Sequence, residues 1–62
     1  MNENIVQTIR LAAQGMTIKE ISVNLAISES TTKIRLLIAR ESLGAKNRAE
    51  MIYYAMKEGI IS

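Results

Sequence analysis

Apolar residues recur along the chain at helical rather than strand spacing, in four segments separated by glycine or by a hydroxyl or amide residue able to cap a helix. Gly15, Gly44 and Gly59 each follow such a segment, where a residue able to adopt positive φ ends a helix at no steric cost. Thr17-Ile18-Lys19-Glu20 has capping-box spacing, the threonine oxygen taking a backbone N–H and the glutamate reaching back, and Asn47-Arg48-Ala49-Glu50 repeats it with an asparagine cap. Ser28 caps the helix between them. The pattern predicts helices over about 3–14, 18–25, 29–43 and 48–58. The fold class is therefore all-α, a compact four-helix bundle in one domain, 1–62.

Helical phase divides the third segment into faces. At about 100° per residue, Thr32, Leu36, Ala39 and Leu43 fall in one narrow sector and should face the core. The opposite sector holds Ser30, Lys33, Ile34, Leu37 and, further on, Glu41. In the fourth segment Met51, Ile52, Ala55 and Met56 read as core. Tyr53 and Tyr54 are adjacent and about 100° apart, so both cannot point at one core. At least one belongs to the surface or to an interface.

At 62 residues the chain builds a single small core, and domains of this size gain stability from a partner. It has no cysteine and no histidine, which excludes disulfides, thiolate zinc sites and histidine-based acid/base or nucleophilic chemistry. No enzyme constellation, metal site or cofactor is expected. With two tyrosines, no tryptophan and no phenylalanine it lacks an aromatic platform for single strands. No apolar run approaches the ~20 residues needed to span a bilayer. No signal-like start is present, so no membrane association and a cytoplasmic location are expected. A net charge of +2 is a weak pointer to nucleic acid. Its distribution says more: Lys33, Arg35 and Arg40 are the only charged residues between Ser30 and Arg40. A short helix, a tight turn and a basic helix opened by a hydroxyl cap form the layout that puts a helix end into a DNA major groove.

Three stretches carry a resemblance: Gly15-Met16-Thr17-Ile18-Lys19-Glu20-Ile21, then Leu25-Ala26-Ile27-Ser28-Glu29-Ser30-Thr31-Thr32-Lys33, then Leu43-Gly44-Ala45-Lys46-Asn47-Arg48-Ala49-Glu50. In this order and without gaps they resemble the LuxR-type (GerE/NarL-like) helix-turn-helix domain, over nearly the whole chain. The resemblance implies a bacterial or phage protein in which helices 2 and 3 form the helix-turn-helix and helix 4 supplies a dimer contact. It begins near residue 1, so a stand-alone, GerE-like form without a receiver or autoinducer-binding domain is expected. Lys33, Ile34 and Leu37 fall at base-reading positions, with Ser30 on the same outward line. Lys33 can donate to guanine O6 or N7, and Ile34 or Leu37 can pack on a thymine methyl. Thr17 and Lys19 open the second helix, whose first N–H groups suit a phosphate. Thr31, Arg35, Lys46 and Arg48 are further DNA-backbone candidates, and Tyr53, Tyr54 and Lys57 are candidates for the homodimer interface.

The chain departs from the family pattern at several points. Arg35 stands where histidine is usual, Thr32 where valine is usual, and Leu37 where a polar or basic residue is common. Ile5 and Val6 replace charges in the first helix. The leading expectation is a sequence-specific transcription regulator that binds double-stranded DNA as a dimer. The alternative is a protein-interaction module, an anti-activator or adaptor that pairs with another regulator or with RNA polymerase. Exposed aliphatics at Ile5, Val6, Leu37 and Ile38 would favour that second class.

Overall fold

A computed structural model describes all 62 residues as four helices: α1 (Glu3–Ala13), α2 (Ile18–Leu25), α3 (Glu29–Leu43) and α4 (Arg48–Lys57). Each begins at a side-chain cap. Asn2 accepts the Ile5 N–H at 2.9 Å, Thr17 accepts the Glu20 N–H at 3.1 Å, Ser28 accepts the Thr31 N–H at 3.0 Å and Asn47 accepts the Glu50 N–H at 2.9 Å. Each bond satisfies one of the donors that a helix start leaves unpaired. At α2 the box is reciprocal, because the Thr17 N–H donates back to the Glu20 carboxylate at 2.9 Å. At α4 it is displaced by one residue. Glu50 takes the Lys46 N–H at 2.9 Å instead of that of Asn47, whose φ of −155°, against −72° at Thr17, turns its own N–H away.

The core consists of Ile5, Val6, Ile9 and Ala12 from α1, Ile21 from α2, Leu36 and Ala39 from α3, Met51 and Ala55 from α4, and Ile61 beyond it. α3 is the hub: it packs against all three other helices, and α1 also meets α2 and α4. Thr32, Leu36 and Ala39 are buried as phase requires, and Leu43 packs half-buried at the margin. Thr8, Ser22 and Thr32 are buried polar residues. Each donates its hydroxyl proton to a carbonyl of its own helix segment, Asn4, Lys19 and Ser28 respectively, at 2.7–3.0 Å. None therefore carries the desolvation penalty of an unmade bond.

Two expectations are corrected. Ile5 and Val6 are buried, because Ile5, Ile9 and Ala12 follow one another at spacings of four and three and form the core stripe of α1. Met56 is more than half exposed, at 54%. It stands five residues from buried Met51, about 140° round the helix and so away from the core.

The link between α2 and α3 is three residues, Ala26 to Ser28. Ala26 adopts a left-handed conformation (φ 55°, ψ 44°), the only non-glycine residue with positive φ. With it there, the Ile27 N–H reaches back to the Ser22 carbonyl at 3.0 Å and the Ala26 N–H to that of Val23 at 3.3 Å. These two bonds close the end of α2 and aim the chain into α3.

Candidate nucleic-acid interface

The outward line of α3 carries Ser30, Lys33, Ile34 and Leu37, all exposed. Ile34 is 57%, Leu37 49% and Ile38 43% accessible, so the middle of α3 presents an aliphatic strip to solvent. The first turn of α3 is built by hydroxyls. The Ser28 hydroxyl donates to Thr31 Oγ1 at 2.9 Å while its oxygen caps the Thr31 N–H. The proton of Thr31 is thereby left for an outside acceptor such as a phosphate.

At the start of α2 the capping box occupies the Thr17 and Glu20 N–H groups. Those of Ile18 and Lys19 have no acceptor within the fold, which leaves two donors and a positive helix end at the surface. The Glu20 carboxyl is held below the ordinary glutamate range, first by the Thr17 backbone N–H and then by the Thr17 side chain. It is ionised at neutral pH and stays with the cap.

The charges around these elements are unevenly matched. The one ion pair is Arg10–Glu3 at 3.2 Å, on the exposed face of α1. Lys19, Lys33, Arg35, Lys46 and Lys57 pair with no acid. A cleft of about 250 Å³ lies among α2, α3 and α4, with Lys33, Arg40 and Arg48 over an apolar floor that includes Leu36 and Met51. No carboxylate lines it. The Arg40 Nη2 donates to the Lys46 carbonyl at 2.8 Å and so fastens the α3–α4 turn.

The structure gives Arg48 an internal role that its sequence position did not reveal. Its Nη2 donates to the Ala12 carbonyl at 2.9 Å and to the Met16 carbonyl, joining the start of α4 to the end of α1 and the turn that follows. It is half-buried. Arg35, also half-buried, makes no hydrogen bond or ion pair within the fold.

α4 exposes Tyr53, Met56 and Lys57, while Tyr54 is half-buried. The two tyrosine rings meet edge to face at 5.5 Å, and the Lys57 ammonium lies 6.0 Å from the centre of the Tyr53 ring. The base-reading candidates therefore share one helix face, the backbone candidates Thr17, Lys19 and Thr31 stand at the starts of α2 and α3, and the dimer candidates are on α4.

A short helix, a three-residue turn and a longer helix whose far face is exposed define a helix-turn-helix domain within a four-helix fold. The family described as "Bacterial regulatory proteins, luxR family" (GerE) matches residues 6–55. The chain is 36% identical, over its full length, to the Transcriptional regulatory protein YdfI of Bacillus subtilis. It is also 42% identical, over 89% of its length, to the HTH-type quorum sensing-dependent transcriptional regulator RpaR of Rhodopseudomonas palustris. It spans 29% and 23% of those two proteins, less than a third of either. No solved structure matches the chain significantly. The chain belongs to the luxR family: it is a helix-turn-helix DNA-binding domain of transcription regulators, a family that is not enzymatic. No helix is long and apolar enough to cross a membrane.

Proposed function

We propose that the domain recognises a specific double-stranded DNA sequence by laying the N-terminal half of α3 in the major groove, as a homodimer formed through α4. The observation that carries this reading is the outward line Ser30, Lys33, Ile34, Leu37, exposed and free of acids before Glu41. Lys33 donates to a guanine edge, a contact that discriminates between bases by about 1–3 kcal/mol. Lys19, Thr31, Arg35 and Lys46, with the unpaired N–H groups at the start of α2, take phosphates on either side and fix register without reading sequence. Thr17 builds that helix start, its oxygen capping the Glu20 N–H and its side chain holding the Glu20 carboxylate. Arg48 is left out of the phosphate set because its guanidinium is bonded inside the fold.

The dimer reading is supported by the exposed strip of Tyr53 and Met56, with Lys57 over the tyrosine ring. Large apolar side chains of this kind are enriched at interface cores. Two copies joined there would meet half-sites about one helical turn apart, ~34–36 Å.

Lys33→Ala is the test of the reader helix. Titrated by fluorescence anisotropy against the preferred duplex and its single-base variants, it is expected to lose affinity and to relax choice at one position of each half-site. Equal loss on every duplex would move Lys33 to the phosphate set. Sedimentation of the wild-type chain and of Tyr53→Asp tests the dimer, and a monomer mass for wild type at high concentration would remove it.

A protein-interaction reading keeps one supporting observation, the exposure of Ile34, Leu37 and Ile38. The burial of Ile5 and Val6 takes away the rest.

A further inference from the structure

The outermost line of α3 runs Ser30, Ile34, Leu37, Glu41 at spacings of four, three and four, and its two central members are aliphatic. Neither is used by the core: each leaves about half its surface or more in solvent, 57% for Ile34 and 49% for Leu37. An aliphatic side chain has no donor or acceptor to offer a base edge. The major-groove feature it does recognise is the C5 methyl of thymine, which no other base carries.

We propose that Ile34 and Leu37 act as a pair that reads thymine methyls on two neighbouring base steps, with Lys33 donating to a base beside them. This inference rests on the reading of α3 as the groove-facing helix. Three residues of helix advance ~4.5 Å along the axis, against ~3.4 Å between successive bases of a strand. With α3 lying along the groove this advance is nearest to one base step, which assigns the pair to neighbouring steps. Ile38, one residue beyond Leu37 and 43% exposed, widens the apolar strip on the Ile34 side. Glu41, exposed and without an ion-pair partner, ends the strip one turn after Leu37. Its carboxylate repels phosphates and keeps the last turn of α3, from Glu41 on, out of the groove. Specificity held by methyl groups has a chemical signature that hydrogen-bonded readout lacks. It is lost when thymine becomes uracil, although every base-edge donor and acceptor stays in place. It is partly regained when cytosine at the same step is methylated at C5.

The experiment uses the intact chain and the best duplex from a selected random library, with each thymine replaced in turn by deoxyuridine and affinity read by anisotropy. Two adjacent steps per half-site are expected to lose about fourfold each, the worth of one buried carbon. At those steps, 5-methylcytosine should bind more tightly than cytosine. Leu37→Ala is expected to remove the sensitivity at one step and Ile34→Ala at its neighbour. Both residues are exposed, and far-ultraviolet circular dichroism confirms that the variants fold. Uniform tolerance of deoxyuridine with sequence preference intact would overturn the methyl reading and leave the reader helix standing. Absence of any sequence preference would overturn the groove-facing role of α3 and this inference with it. Unchanged affinity and unchanged uracil sensitivity in both alanine variants would assign the strip to a protein partner.

Discussion

Arg48 offers the sharpest separation between a residue that holds the fold and one that holds DNA, since its charge, its place at the start of a helix and its family position all suggest a phosphate contact. Replacing it by alanine removes a guanidinium that donates to the carbonyls of Ala12 and Met16, 36 and 32 residues away in sequence. Hydrogen bonds with a charged partner contribute about 1.5–3 kcal/mol. A cation at the end of α1 adds ~0.3–1 kcal/mol through the helix dipole. Because both bonds come from one nitrogen, a total loss of about 2–3 kcal/mol is expected rather than twice the single-bond value. At roughly 0.05–0.15 kcal/mol per residue, a chain of 62 residues has only ~3–9 kcal/mol of stability. At ~4–8 °C per kcal/mol for so small a domain, the melting point should fall by roughly 10–20 °C. Thermal and urea denaturation followed at 222 nm measure this. Arg48→Lys, which keeps the charge but not the planar fork, should lie between alanine and wild type. At a temperature where both proteins are folded, the dependence of DNA affinity on salt should be unchanged, because no phosphate contact is lost. Wild-type melting together with a shallower salt dependence for Arg48→Ala would refute the assignment.

Three further outcomes follow from the geometry. Ala26→Gly should stabilise the fold by about 0.5–1 kcal/mol. The left-handed conformation costs an L-residue ~1–2 kcal/mol, and the extra freedom of glycine in the unfolded chain returns part of that; a melting point equal to or below wild type would contradict it. Glu20 has a depressed folded pKa, so its contribution to the start of α2 is complete above its unfolded pKa and is lost as pH falls through the folded value. Glu20→Gln keeps an acceptor for the Thr17 N–H and should flatten the acid limb of the stability curve; an unchanged limb would show that another group governs it. Met51→Ala opens a hole in a fully buried site at the meeting of α4 with the core and should cost ~2–5 kcal/mol, enough to unfold much of the population at 37 °C.

What was legible in the sequence is what is local. Thr17 and Glu20, Ser28 and Thr31, and Asn47 and Glu50 are three residues apart, so their bonds could be read from spacing alone, and the core face of α3 followed from phase. The burial of Ile5 was legible as well, in its spacing to Ile9 and Ala12, and the exposure of Met56 in its angle to Met51. In both cases the type of the residue drew attention from its position. Arg48 could not be read, because its partners are backbone carbonyls that are brought near only when α1 and α4 pack. Ala26 carries no signal of its own, since the three-residue link to α3 imposes the positive φ on whatever residue stands there. For the site, the exposed line of α3 was legible from phase. The division of the basic residues was not: Arg35 and Lys46 keep free charges while Arg40 and Arg48 tie backbone carbonyls, a difference that depends on packing.

Sequence-specific reading of duplex DNA by α3 is tested most directly by selecting a randomised duplex library on the purified chain. The winner and a scrambled control would then be titrated at two salt concentrations. A recovered motif of two related half-sites, bound about 10³-fold or more above the control, is the expected result. Failure to enrich any sequence, with weak binding that salt abolishes equally for both duplexes, would contradict it.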